Sequence, residues 1–166
     1  MTHHVVFMGV SGSGKSTVAR EVQRLTGWDF AEGDDFHPRA NVEKMSAGHP
    51  LTDQDRFPWL GSLARWIREH DEAGESSLMS CSALRRTYRD VLRSGADDVA
   101  FVHLVGDKGV LLERMGERDH FMPPELLESQ LATLEPLHDD EAGLELDVAL
   151  PPAELAERVV EELGLR

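Results

Sequence analysis

Nine consecutive residues, Gly9-Val10-Ser11-Gly12-Ser13-Gly14-Lys15-Ser16-Thr17, have the types and spacing to do chemistry. They satisfy the pattern G-x-x-x-x-G-K-[ST], a loop whose backbone N–H groups curl around a β-phosphate. In such loops the lysine reaches the β- and γ-phosphates and the following hydroxyl ligates Mg²⁺. Gly12, Ser13, Gly14, Lys15, Ser16 and Thr17 are the expected phosphate-binding residues, with Lys15 also catalytic and Ser16 on the metal. The apolar run Val5-Val6-Phe7-Met8 precedes the loop, and Val18, Val22 and Leu25 give the segment after it a helical apolar face. That helix would direct the positive end of its dipole at the phosphates.

A second cluster, Glu32-Gly33-Asp34-Asp35-Phe36-His37-Pro38, sets two adjacent carboxylates and a histidine where a strand gives way to loop. Phosphoryl transfer to a hydroxyl needs a carboxylate to orient or accept its proton, and another near Mg²⁺. An Asx-turn before Pro38 would use the same residues, but their place behind a phosphate loop favours chemistry. The run Leu78-Met79-Ser80-Cys81 ends without the metal-binding Asp found there in many phosphate-loop proteins. Asp34 is then the nearest carboxylate for the metal side by topology. Asp107 is its rival and fits a helix N-cap equally.

Cations are scarce and grouped. Lys44 is one of three lysines, and Arg56 opens a helix after the capping pattern Thr52-Asp53-Gln54-Asp55. Arg85, Arg86, Arg89 and Arg93 share one helix, whose first-turn members Arg85 and Arg86 lie nearest the strand ends. Arg114 and Arg118 stand four residues apart before Asp119-His120-Phe121-Met122-Pro123-Pro124. This stretch, about 114–124, reads as a mobile lid whose arginines neutralise a transferring phosphoryl group. Interleaved with Glu113 and Glu117, the same arginines also fit an i,i+4 surface pair. Cys81, the single cysteine, reads as an inert buried hydrophobe and excludes an intrachain disulfide.

The elements that position these groups alternate. Apolar runs at Val5 to Met8, Trp28 to Ala31, Leu78 to Cys81, Phe101 to Val105 and Leu144 to Val148 are separated by helical patterns. The expectation is one α/β domain over 1–166, a parallel sheet flanked by helices, with ligands beyond the carboxyl ends of the strands. With 31 acidic against 17 basic residues the net charge is -14, which argues against nucleic acid or an anionic membrane as partner. An anionic ligand requires a local cationic cluster. No run reaches membrane-spanning length, and the first residues lack the pattern of a signal peptide, so a cytoplasmic protein is expected.

Taken together, the phosphate loop, Gly33 to Pro38, Asn41, Lys44-Met45, Pro50 to Arg56, Pro58-Trp59-Leu60, Cys81 to Leu84, Tyr88-Arg89, His120 to Pro123 and Gln130 to Pro136 resemble the gluconate kinase (gluconokinase) family over nearly the whole chain. The resemblance implies a phosphate-loop kinase fold of the adenylate-kinase and shikimate-kinase type. It implies ATP-dependent phosphorylation of D-gluconate on its 6-hydroxyl, Mg²⁺ and a homodimer. It places Arg114 with the ATP-binding residues and makes Lys15, Asp34 and Arg118 catalytic, with Ser16 and Asp34 on the metal. Asp34, His37, Lys44, Arg56, Arg85, His120 and Gln130 become the substrate-binding set, without deciding which of Lys44, Arg56 and Arg85 meets the gluconate carboxylate. Glu32 stands where relatives carry Asp, and Asp119 alone separates Arg118 from His120 where relatives have two residues. The alternative is another small-molecule kinase of this fold, shikimate or nucleotide kinase-like. No two glycines are adjacent, which removes the shikimate family's Gly-Gly-Gly motif, and no N-K-x-D guanine-reading signature occurs.

Overall fold

The computed structural model describes residues 2–10, 12–116 and 125–165. Five parallel strands, β1 (His4–Met8), β2 (Asp29–Glu32), β3 (Ser77–Ser80), β4 (Val99–Val105) and β5 (Gly143–Asp147), form one sheet in the order β2-β3-β1-β4-β5. Each expected apolar run lies on one of these strands, displaced by one or two residues at the ends. Parallel strands covered on both faces read as continuous apolar runs, and β1 is buried at every residue.

Alternate side chains of β1 feed two cores. Val5 and Phe7 pack with Leu78, Val102 and Leu104 against α1 (Lys15–Thr26) and α7 (Pro152–Glu162). Val6 and Met8 join Met79 and Phe101 on the opposite face, against α3 (Asp53–Glu72) and α4 (Arg86–Arg93). Trp59, Leu60, Leu63 and Ile67 of α3 are buried there, so Trp59 is the core residue its helical spacing predicts, while Trp66 packs at the edge. The remaining helices are α2 (Arg39–Ser46), α5 (Lys108–Gly116) and α6 (Glu125–Thr133). Among the described residues no helix is long and apolar enough to cross a membrane.

The sheet brings the chain back to β1 from both sides, with β3 on one flank and β4 on the other. Loops leaving the carboxyl ends of β1, β2 and β3 therefore converge, and this is where a doubly covered parallel sheet binds ligands.

Candidate active site

The phosphate loop leaves β1 and enters α1 through Gly14, which adopts φ +89° as N-cap, a left-handed conformation that favours glycine. The N-cap Gly14 makes no side-chain cap hydrogen bond, and α1 starts with the positive end of its dipole at the loop. Ser13 Oγ is buried and has no hydrogen-bond partner among the described residues. A buried hydroxyl of this kind and an uncapped helix start fit phosphate oxygens as acceptors. Lys15 Nζ donates to the carbonyls of Gly9 (3.0 Å) and Val10 (3.1 Å), which holds the ammonium at the loop. Gly12 is buried with Ser13, and Thr17 sits exposed in the first turn of α1.

Beyond β2 the chain forms a 3-10 turn, Gly33–Phe36, that carries Asp34. Only glycine fits its start, because a Cβ at Gly33 would lie 2.2 Å from the Ser80 carbonyl oxygen. Gly33 is tied down from two sides: its N–H meets Ser80 Oγ at 3.4 Å and its carbonyl accepts Trp59 Nε1 at 2.8 Å. His37 stacks on the Trp59 ring at 4.0 Å between centroids, and its Nε2 lies 3.9 Å from Asp34 Oδ1. Burial, reinforced by the positive charge of Arg56, lowers the His37 pKa to about 4, so the ring is neutral at pH 7.

Asp34, His37, Arg56 and Gln130 line one cleft with Lys15, a space of about 620 Å³ whose wall also contains Leu84 and Tyr88. Arg56 Nη1 donates to the Tyr88 hydroxyl at 2.9 Å, and its guanidinium lies 5.3 Å from the centroid of that ring. Burial and the hydrogen bond donated by Tyr88 to Asp53 raise the phenol pKa.

Two expected substrate residues lie outside this cleft. The Lys44 ammonium is taken by Asp55 at 2.8 Å. Asp55 also closes the Thr52 capping box that starts α3, accepting Thr52 N–H at 2.8 Å. These donors hold the Asp55 carboxyl down at about 2, the Lys44 hydrogen bond contributing most. Arg85 is exposed, because α4 begins one residue later than expected and leaves Arg85 as its extended N-cap, while Leu84 and Tyr88 take the wall positions. Arg86 is likewise engaged elsewhere, in a two-pronged pair with Asp140 at 2.7 Å for each prong. Arg118, His120 and most of the expected lid lie outside the described residues, as does the side chain of Arg114.

Two features lie outside the expected site residues. Glu32 Oε1 accepts from Ser80 Oγ at 2.7 Å and from the Ser16 hydroxyl. Glu32 pairs in register with Ser80, so the last residue of β2 brings a carboxylate beside the place where β3 lacks its Asp. The exchange of Asp for Glu noted above was the available signal. Ser16 and Glu32 offer hard oxygen donors of the kind Mg²⁺ takes, and Asp34 follows on the turn after β2 and lines the cleft with Lys15. The second feature is Arg89, fully buried in a pair with Glu141 at 2.7 and 2.9 Å. It also donates to the carbonyls of Ala83, Glu135 and Pro136, and so ties the β3–α4 loop to the segment after α6. Ala83 has φ +44°, and the preceding Ser82 carbonyl accepts the N–H of Gly9 at 3.2 Å. Arg89 thus braces the floor of the phosphate loop. Cys81 is buried, which pushes its thiol to about 12 and matches the inert role expected of it.

Comparison with known proteins agrees with this geometry. The family model of the AAA domain matches residues 5–137. The gluconokinase of Gluconobacter oxydans is 48% identical over 94% of this chain and 88% of its own. The crystal structure of a sugar kinase from Janibacter sp. HTCC2649 superposes with a TM-score of 0.95 at 54% identity, covering 99% of this chain and 96% of that one. That of a gluconokinase from Sinorhizobium meliloti 1021 gives 0.87 at 45% identity, over 98% and 91%. Identity of 45–48% to gluconokinases over almost the full length places this chain, with its phosphate loop on β1 and acidic turn after β2, in the gluconokinase family of phosphate-loop kinases.

Proposed function

We propose that this protein transfers the γ-phosphoryl group of ATP to the 6-hydroxyl of D-gluconate, giving 6-phospho-D-gluconate and ADP. One observation carries the reading: Lys15 of the phosphate loop, Asp34 and Arg56 line the same cleft. That cleft joins a phosphate-binding end to a cation able to hold a carboxylate. Asp34 orients the 6-hydroxyl and receives its proton as the oxygen bonds to the γ-phosphorus and the bond to the β,γ-bridging oxygen breaks. Lys15 follows the charge that develops on the phosphoryl oxygens. Arg56 holds the carboxylate at the far end, with His37 and Gln130 along the wall. Mg²⁺, when bound, would neutralise phosphate charge, and the residues suited to hold it are Ser16, Glu32 and Asp34. Arg114, Arg118 and His120 retain their proposed roles at ATP and substrate by the family likeness, which also supports a cytoplasmic homodimer.

The test is an ADP-release assay of the purified protein across D-gluconate, glucose, shikimate and nucleoside monophosphates. Gluconate should be the preferred acceptor by a wide margin in kcat/KM. Equal or better turnover of glucose would remove the need for Arg56 and overturn the assignment.

A further inference from the structure

Asn41 of α2 is 5% exposed and, among the described residues, reaches the site through His37. Its Nδ2 donates to the backbone carbonyl of Asp55 at 3.0 Å. A carbonyl only accepts, so this contact fixes which end of the amide is the nitrogen. The same nitrogen lies 3.2 Å from His37 Nδ1. An NH₂ group meeting a ring nitrogen requires that nitrogen to carry a lone pair, and in a neutral imidazole the proton then sits on Nε2. Nε2 is the atom that points toward Asp34, 3.9 Å from Oδ1.

We propose that Asn41 is a positioning residue that holds His37 as the neutral Nε2–H tautomer, so that an N–H donor faces Asp34 and the hydroxyl it orients. The inference rests on the kinase reading for its catalytic consequence, but not for the tautomer itself. Trp59 fixes the plane of the ring by stacking, and the indole is itself anchored to the Gly33 carbonyl. With Asn41 setting the proton and Trp59 the plane, one direction remains for the N–H.

The physical consequence follows from the opposite case. A proton on Nδ1 would turn the Nε2 lone pair toward the Asp34 carboxylate, and the repulsion would displace Asp34 from the hydroxyl it orients. Among the described residues the charged groups near His37 are Asp34 from the 3-10 turn and Arg56 from α3, with Lys15 across the same cleft.

The experiment is nitrogen-15 NMR of the full-length protein labelled at histidine, recording the two ring nitrogens of His37 at pH 7, beside steady-state kinetics. Wild type should show a pyridine-type Nδ1 and a pyrrole-type Nε2. Asn41→Asp puts an acceptor at Nδ1, so the proton should move there and the two ring-nitrogen signals should exchange character. Asn41→Leu should give a mixture of tautomers and a fall in kcat on gluconate of roughly tenfold or more, with KM for ATP unchanged. A pyrrole-type Nδ1 in wild type overturns the proposal, and that spectrum decides even if a variant fails to fold. Wild-type kcat in a folded Asn41→Leu protein overturns its catalytic consequence. Absence of gluconate phosphorylation by the wild type, with the expected spectrum, would sink the kinase reading and leave the tautomer standing.

Discussion

Arg56→Ala is the sharpest probe of how this acidic protein holds an anion. The structure separates Arg56 from Arg85 by exposure and from Arg89, Arg86 and Lys44 by what their donors already do. Arg89 gives hydrogen bonds to Glu141 and three carbonyls, Arg86 to Asp140, and Lys44 to Asp55. Arg56 spends one Nη1 contact on the neutral Tyr88 hydroxyl and stands 3.7 Å from a half-exposed Asp53, with its side chain only 16% exposed. It therefore has both the burial and the donors for a ligand carboxylate. Truncating one partner of a buried charge pair costs about 2–5 kcal/mol, and the open mouth of the cleft puts this pair toward the low end, about 2–3 kcal/mol. At 1.4 kcal/mol per decade, KM for gluconate should rise roughly 30- to 140-fold. The carboxylate is remote from the reacting hydroxyl, so kcat should change by less than about threefold and KM for ATP should hold. Loss of the Tyr88 hydrogen bond should cost about 1 kcal/mol of stability, or roughly 2–4 °C in Tm, which a melt separates from the kinetic effect. A coupled ADP-release assay with gluconate and glucose reads the rest. Gluconate KM within twofold of wild type, or an equal loss on neutral glucose, would refute the argument.

Two further predictions concern the frame around the site. Arg89→Met strands buried Glu141 with Arg93 as its remaining cationic partner, a loss of roughly 3–5 kcal/mol that should lower Tm by roughly 6–20 °C. A melt within 2 °C of wild type, at the order of precision of that scaling, would show the pair to be dispensable. On acidification stability should fall in two stages. His37 has its folded pKa, about 4, below the ordinary 6.5, so its contribution is complete above pH 6.5 and is lost as pH falls to about 4. Asp55, Asp140 and Glu141 are held at about 2, against ordinary values of 3.8 for the aspartates and 4.5 for Glu141, and lose theirs below that range down to about pH 2. His37→Gln should flatten the upper stage in a series of melts, and an unchanged slope there would contradict the burial of a neutral ring.

The strands and the phosphate loop were legible because backbone requirements dictate their sequence. A strand covered on both faces must be apolar throughout, and a loop that presents N–H groups inward must be glycine-rich. The assignment of cations was not legible. Arg85, Arg86, Arg89 and Arg93 look alike on one helix, and what distinguishes them are Asp140 and Glu141, some fifty residues downstream. Local pattern carries no trace of such pairs. Glu32 escaped for a related reason: its meaning comes from lying across the ladder from Ser80, a neighbour only in the sheet.

These pairings also explain how a chain of net charge -14 offers a site to two anions. Its excess carboxylates act on a ligand only within about a Debye length, near 8 Å at physiological salt, and exposed ones are screened beyond that. What matters is the sign of the few groups bordering the cleft. Asp140 and Glu141 lie with Arg86, Arg89 and Arg93, and Asp55 with Lys44, so each is neutralised by a cation that is thereby withdrawn from binding. Lys15 is committed to the phosphate loop and Arg56 to the cleft wall. Partly shielded from water, these two charges act through a lower effective dielectric than the surface carboxylates, so a local field of the right sign persists against an opposing net charge.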